Sequence, residues 1–196
     1  MDQELLIERS LNGELDAFNQ LILEYQNLAY SVAYRLLSNT EAASDAVQDS
    51  FIKAYRALDS FRGGSFKSWL MRIVTNTCYD QLRAQKRQRT ESLDDLPVEE
   101  EFVTQLIDSR ESPDQFVERQ ELSGLIEAAI QSLPEEQRTV LVLCDIHGYA
   151  YEEIVEMTGV AMGTVKSRIS RARGRMRDYL TEHPELLPAS FRPKIA

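Results

Sequence analysis

Apolar residues recur along this chain at spacings of three and four. Between residues 15 and 37 they are Phe18, Leu21, Ile22, Tyr25, Leu28, Ala29, Val32, Leu36 and Leu37, one broad stripe on a helix. Residues 41–58 repeat the pattern through Ala42, Val47, Phe51, Ile52, Tyr55 and Leu58. A loop from Asp59 to Ser68 holds the only Gly-Gly pair, Gly63-Gly64. A third helix is predicted from about Phe66 to Arg87, with Leu70, Met71, Val74, Cys78 and Leu82 on its buried face. Residues 88–116 lose the periodicity, crowd in acidic side chains and contain Pro97 and Pro113. Helices resume near Glu118 with the stripe Leu122, Leu125, Ile126, Ala129 and Ile130, which Leu133-Pro134 ends. Pro134 suits the first turn of a helix over Glu135–Cys144, where a missing N–H costs nothing. Two further helices, Tyr151–Met157 and Met162–Leu180, are joined by Thr158-Gly159-Val160-Ala161. No segment alternates apolar and polar residues, so no sheet is predicted. The expected fold is all-α: two small helical domains over 1–88 and 118–180, an acidic linker over 89–117 and a tail over 181–196.

Composition bounds the function. With 196 residues, 43% of them hydrophobic and 28% charged, the chain can bury one core or two small ones. No run approaches the roughly 18–20 apolar residues of a membrane span, and MDQELLIERS does not read as a signal peptide, so a cytoplasmic protein is expected. Cys78 and Cys144 form no CxxC pair, and His147 and His183 are scattered, which argues against a disulfide scaffold or a metal cluster. No Ser/His/Asp set, Cys/His pair or HExxH is present, so neither an enzyme nor a cofactor is expected.

The net charge of −10 argues against nucleic-acid binding until it is mapped. Residues 62–89 carry seven basic side chains and one acidic, net +6. Residues 162–177 carry six basic and none acidic, while residues 90–121 carry eleven acidic and two basic. Two compact basic blocks in an acidic chain are the electrostatic footprint of phosphate contact.

The second block sits in a helix-turn-helix: a short helix, a tight turn with Gly159 near its start, and a basic helix. On a helical wheel Val165, Ile169, Ala172 and Met176 form a narrow apolar seam. Opposite lie Ser167, Ser170, Arg171 and Gly174, and Lys166, Arg168, Arg173 and Arg175 flank the seam. A helix in the major groove needs this arrangement, with hydrogen-bonding side chains for base edges and flanking cations for phosphates. The first block is the helix after Gly63-Gly64, whose polar stripe reads Trp69, Arg72, Asn76, Asp80, Arg83. The loop before it adds Phe61, Arg62, Ser65, Phe66 and Lys67. Aromatic rings interleaved with cations hold single-stranded nucleic acid by stacking and phosphate contact, and such a loop can take an unstacked base. A phosphate-loop reading fails, because no glycine directly precedes Lys67-Ser68.

Together these residues resemble an extracytoplasmic-function (ECF) sigma factor of the sigma-70 family, over about residues 10–180. Asp45-Ala46-Val47-Gln48-Asp49-Ser50-Phe51, with Lys53-Ala54-Tyr55-Arg56-Ala57-Leu58, resembles the segment that binds the β′ clamp helices of bacterial RNA polymerase. The resemblance implies core-polymerase contacts by Asp45, Gln48, Asp49, Phe51, Ile52 and Lys53. Trp69-Leu70 with Arg72-Ile73, Asn76, Asp80 and Arg83 resembles the segment that melts and reads the −10 element, its preceding loop taking a flipped base. Leu133-Pro134-Glu135 through Gly148, Tyr151-Glu152-Glu153-Ile154 and Gly163-Thr164-Val165-Lys166-Ser167-Arg168 with Arg171-Ala172-Arg173 resemble the −35 reading domain.

On this reading Lys166, Ser167, Ser170 and Arg171 read bases, Arg168, Arg173 and Arg175 hold phosphates, and Thr164 belongs to the same −35 surface. The resemblance also implies as partners core polymerase (β′ clamp helices and β flap), promoter DNA and an anti-sigma factor, with the acidic linker threading the polymerase cleft as a nucleic-acid mimic. The chain departs from the family pattern at Ala150, where Ser or Thr would cap the next helix, at Met162, at Cys144-Asp145 and at Asp49. A self-sufficient helix-turn-helix regulator is the rival reading and leaves the Trp69 stripe without a purpose. A protein-binding scaffold leaves both basic blocks without one.

Overall fold

The computed structural model describes residues 3–91, 113–184 and 187. Most of the linker reading (92–112) and of the tail reading lies outside the described residues. The described chain is helical throughout: α1 (Gln3–Leu11), α2 (Leu15–Leu37), α3 (Thr40–Ala57), α4 (Phe66–Glu91), α5 (Pro113–Gln131), α6 (Glu135–Leu141), α7 (Tyr151–Thr158) and α8 (Met162–Glu182). A 3-10 turn over Leu58–Ser60 follows α3, and a widened π turn over Val142–Ile146 follows α6.

Helix α2 is the hub of the first unit. Its predicted stripe is buried through Phe18, Leu21, Tyr25, Ala29, Val32, Leu36 and Leu37, and it packs on α1, α3 and α4. It ends where Ser38 adopts a left-handed φ of 59°, and Asn39 then caps α3 by accepting the Ala42 N–H at 2.7 Å. Helix α3 differs from the expected stripe. Its buried line is Ala43, Ala46, Val47, Ser50 and Ala54, whereas Ile52 and Tyr55 are 44% and 42% exposed. Small residues bring α3 close to its neighbours and rotate the larger side chains outward. Helix α4 buries Leu70, Met71, Val74 and Cys78 as predicted, together with Thr75 and Thr77.

In the second unit α5 starts at Pro113, earlier than expected from the apolar stripe, with proline in the first turn. Helix α6 stops at Leu141 and not at Cys144, because the chain widens into the π turn. Helix α7 ends at Gly159, whose φ of 70° makes the sharp exit into α8. Val165, Ile169 and Ala172 are buried, so the predicted seam of α8 is the packed one.

The two units are not held apart. Val140, Leu143, Tyr149, Ile154, Met157, Val165 and Ile169 share one buried cluster with Leu21, Val32, Phe66, Leu70 and Val74. Helix α7 lies along α4, and α5 and α6 touch α2. A smaller cluster of Ile130, Leu133, Leu141, Val142 and Ala172 closes the far side.

Candidate nucleic-acid interface

The basic helix α8 presents two kinds of cation. Lys166, Ser170, Arg171 and Arg175 are exposed on the side away from the buried seam. Ser167 and Thr164 are half-buried, and the Ser167 hydroxyl donates to the Thr164 carbonyl at 3.0 Å. Two of the three flanking arginines, Arg168 and Arg173, are paired within the protein. Arg168 is 18% exposed and pairs with the Glu136 carboxylate. Arg173 donates through Nε and a terminal nitrogen to both oxygens of Asp145, at 2.9 and 2.6 Å. That fork holds the Asp145 carboxyl below the usual carboxylate range. The same guanidinium lies 3.9 Å from the Cys144 Sγ. Burial raises the Cys144 thiol pKa and pushes that of Cys78 up to about 12, so neither thiol ionises readily.

On α4 the stripe Arg72, Asn76, Asp80, Arg83 is exposed, with Trp69 half-buried at its head. Asp80 and Arg83 approach to 3.9 Å with both side chains largely in solvent. Three rings meet at the loop: Phe61–Phe66, Phe61–Trp69 and Phe66–Trp69 centroids lie 5.7, 5.5 and 5.3 Å apart. Phe66, expected to face nucleic acid, is 1% exposed and rests on Tyr25. It is a core residue supporting Phe61 and Trp69 from beneath, since its position opens α4 on the buried face. Gly63 and Gly64, with φ of 90° and 87°, turn the loop around this platform and leave Ser65 exposed. Arg62 donates to the Asp59 carbonyl at 2.8 Å. Lys67 lies 4.7 Å over the ring of Tyr149, from the second unit.

Helix α3 exposes Asp45, Gln48, Asp49 and Ile52 together, with Phe51 half-buried beside them. Lys53 reaches across to the Thr77 hydroxyl at 3.1 Å. An exposed isoleucine among short polar side chains suits contact with another protein. Among the described residues no group of three His, Cys, Asp or Glu could hold a metal, and no helix is long and apolar enough to cross a membrane.

Sequence reasoning missed Arg138. Its guanidinium donates to the Leu36 and Leu133 carbonyls at 3.0 and 3.1 Å, to Gln131 O at 2.8 Å and to Ser38 Oγ at 3.1 Å. Nothing in a lone arginine's sequence context announces such a role. His147, one of the two scattered histidines, follows directly on the π turn. It is held near a pKa of about 4 by burial and by the cations Arg35 and Lys67.

The family model for sigma-70 region 2 matches residues 21–88, and that for sigma-70 region 4 matches residues 123–176. The chain is 40% identical to the RNA polymerase sigma-H factor of Pseudomonas aeruginosa, over 88% of this chain and 90% of that protein. It is 39% identical to the ECF RNA polymerase sigma-E factor of Escherichia coli K12, over 88% of this chain and 91% of that one. The ECF sigma factor SigE of Mycolicibacterium smegmatis is 38% identical over 86% of this chain, and the chain spans 63% of that relative's length. Among solved structures, the sigma factor RpoE of Bartonella quintana in complex with the anti-sigma factor NepR matches with TM-score 0.66, at 32% identity, over 85% of this chain and 98% of that one. CnrH in complex with the cytosolic domain of CnrY matches with TM-score 0.64, at 26% identity, over 92% of this chain and 99% of that one. The chain belongs to the sigma-70 family of RNA polymerase sigma factors, in its extracytoplasmic-function group.

Proposed function

We propose that this chain binds core RNA polymerase and directs it to specific promoters, reading the −35 element as duplex and the melted −10 element as single strand. One observation supports the reading: a single chain presents two exposed basic surfaces of different chemistry. The ridge of α8, with Lys166, Ser170 and Arg171, has the side chains that read base edges in a major groove. The Phe61–Trp69 platform with Arg72, Asn76 and Arg83 has the ring-plus-cation pattern of a single-strand site. A duplex-only regulator needs the first surface and leaves the second idle.

In this reading residues 1–88 hold core polymerase and the −10 strand, and residues 118–180 hold the −35 duplex. The α3 face of Asp45, Gln48, Asp49, Phe51 and Ile52 meets the β′ clamp helices. The chain supplies specificity, and the polymerase supplies the chemistry. One solved relative is a complex with an anti-sigma factor, which supports such a partner here.

The test is run-off transcription with bacterial core polymerase on a pool of promoter fragments, with and without the chain. Specific transcripts that need the chain are the expected result, and their start sites locate both elements. No transcripts and no binding to core would refute the reading. Tight duplex binding by the chain alone would then identify a self-sufficient regulator.

A further inference from the structure

We infer that Thr77 is a positioning residue of the single-strand site: it holds the Lys53 ammonium of α3 against the reading stripe of α4, where the charge meets a phosphate of the strand. The inference rests on the promoter reading above and adds to it a cation from a second helix.

Lys53 stands at the border of two faces of α3. At about 100° per residue it lies about 80° round from Asp45, between exposed Asp49 and buried Ala46. Its place in the sequence groups it with the residues expected to contact polymerase, yet its side chain turns toward α4. Its Nζ donates to the Thr77 Oγ1 at 3.1 Å. The small buried residues Ala46, Ser50 and Ala54 bring α3 close enough to α4 for that reach. Thr77 stands at the matching border of α4. It is 2% exposed, follows Asn76 directly and lies one turn before Asp80, both members of the stripe. Thr139, Thr158 and Thr181 turn their hydroxyls back onto carbonyls of their own helices. The Thr77 hydroxyl accepts from another helix.

The kind of partner matters as much as the position. Arg168 and Arg173 are held by carboxylates, which neutralise them. Lys53 is held by a neutral hydroxyl, although Asp49 stands four residues earlier on the same helix. Its charge is thus fixed in place and left whole. An ammonium has three donors and Thr77 takes one, so two remain for phosphate oxygens. Lys53 itself stays exposed, so a phosphate can reach it while Thr77 is buried beneath. The charge is felt along α4 at Cys78, where burial raises the thiol pKa and Lys53 opposes that rise. A lysine stem samples many rotamers, and a fixed acceptor removes that freedom before the strand arrives.

The test measures how the full chain, on core polymerase, binds a fluorescently labelled single strand spanning the −10 element that run-off transcription locates. Thr77→Val removes the acceptor and keeps the shape. It should leave core affinity unchanged and weaken strand binding about fivefold. Lys53→Met should weaken it at least as much. It should also lower the slope of log affinity against log salt by about 0.7, the increment of one phosphate contact on a single strand. The double variant should add nothing to Lys53→Met. Thr77→Ser keeps the hydroxyl and leaves a methyl-sized gap, which separates positioning from packing. Positioning predicts that Thr77→Ser binds the strand like the native chain even where urea unfolding shows it less stable than Thr77→Val. Packing predicts the reverse order of strand affinities. Native strand binding by Thr77→Val, or an unchanged salt slope in Lys53→Met, would overturn the inference and leave the promoter reading standing. A loss of core affinity confined to Lys53→Met would return Lys53 to the polymerase face and overturn it as well. A native chain that directs no transcripts or binds no strand would refute the promoter reading, and the inference with it.

Discussion

Acid should loosen this protein through one histidine before its carboxylates titrate. His147 is half-buried just after the π turn, with its Nε2 out of hydrogen-bond reach of any partner. Burial, Arg35 and Lys67 all disfavour its cation, which lowers its pKa from 6.5 to about 4. The unfolded ring therefore takes up a proton near pH 6.5 while the folded ring refuses it until about pH 4. The stabilisation is complete above the unfolded value and is lost as pH falls through that window. At pH 5.5 the unfolded ring is about 90% protonated, which costs about 1.4 kcal/mol relative to pH 7.5. A folded pKa of 5 would lower that figure by only about 0.2 kcal/mol, so the result does not depend on the depth of the shift. The residue is only half-buried, and solvent screening brings the expected loss to about 1 kcal/mol. Urea unfolding at pH 7.5 and 5.5 measures it, with His147→Asn as the control. The native chain should lose about 1 kcal/mol and the variant close to nothing. His183 is present in both, so its contribution cancels. Equal losses in the two chains, or no loss in either, would refute this account of His147.

Arg171→Ala should weaken binding by about 1–3 kcal/mol at one position of the −35 element and relax selectivity there, measured by competition among duplex variants. A uniform loss across sequences would place Arg171 on the backbone instead. Ala150 precedes α7 with no side-chain cap, and only Glu153 reaches back, accepting the Ala150 N–H at 2.9 Å. Ala150→Ser should therefore raise stability by about 0.5–2 kcal/mol in thermal unfolding, and no gain would mean that the Glu153 contact already suffices. Ile169 is 1% exposed beneath the α8 ridge. Ile169→Ala should cost about 2–5 kcal/mol in denaturant unfolding and leave any −35 contact that survives unchanged in selectivity.

The helices were legible because their faces differ sharply in polarity. The stripe of α2 and the seam of α8 are buried at the positions their spacing predicts. The helix-turn-helix was legible for the same reason, with Gly159 marking its turn. What was not legible depends on neighbours distant in sequence. Helix α1 escaped notice, since in nine residues only Leu6 among its apolar side chains is buried. Phe66 looks like Phe61 on paper, and only the entry angle of α4 decides that one is core and the other half-open. The stripe of α3 was rotated because alanines, with little weight in an apolar pattern, made the close contact. Arg138 spans 102 residues to the Leu36 carbonyl, and no local pattern encodes that. The two units also read as separate domains, because each has a complete amphipathic repertoire. Tyr149, Ile154 and Phe66 complete a shared core only when the units meet.

The charge pattern makes sense once pairing is considered. A chain of net −10 that places six cations in residues 162–177 would still be a non-specific DNA binder if all six were available. Two are not. Arg168 is held by Glu136 and Arg173 by Asp145. A phosphate arriving at either must displace a carboxylate, so it trades one anion for another with little release of counterions. Each such contact should add less than the usual increment of about 0.9 to the salt dependence of binding. Lys166, Arg171, Arg175 and Arg177 remain exposed, and the first two lie on the proposed base-reading side of the helix. Non-specific affinity is therefore held down by the pairs and by the acidic remainder of the chain, while the discriminating contacts keep their full value. A reader built this way binds weakly alone and selectively when a larger complex holds it against DNA, which is how a specificity subunit of a polymerase must behave.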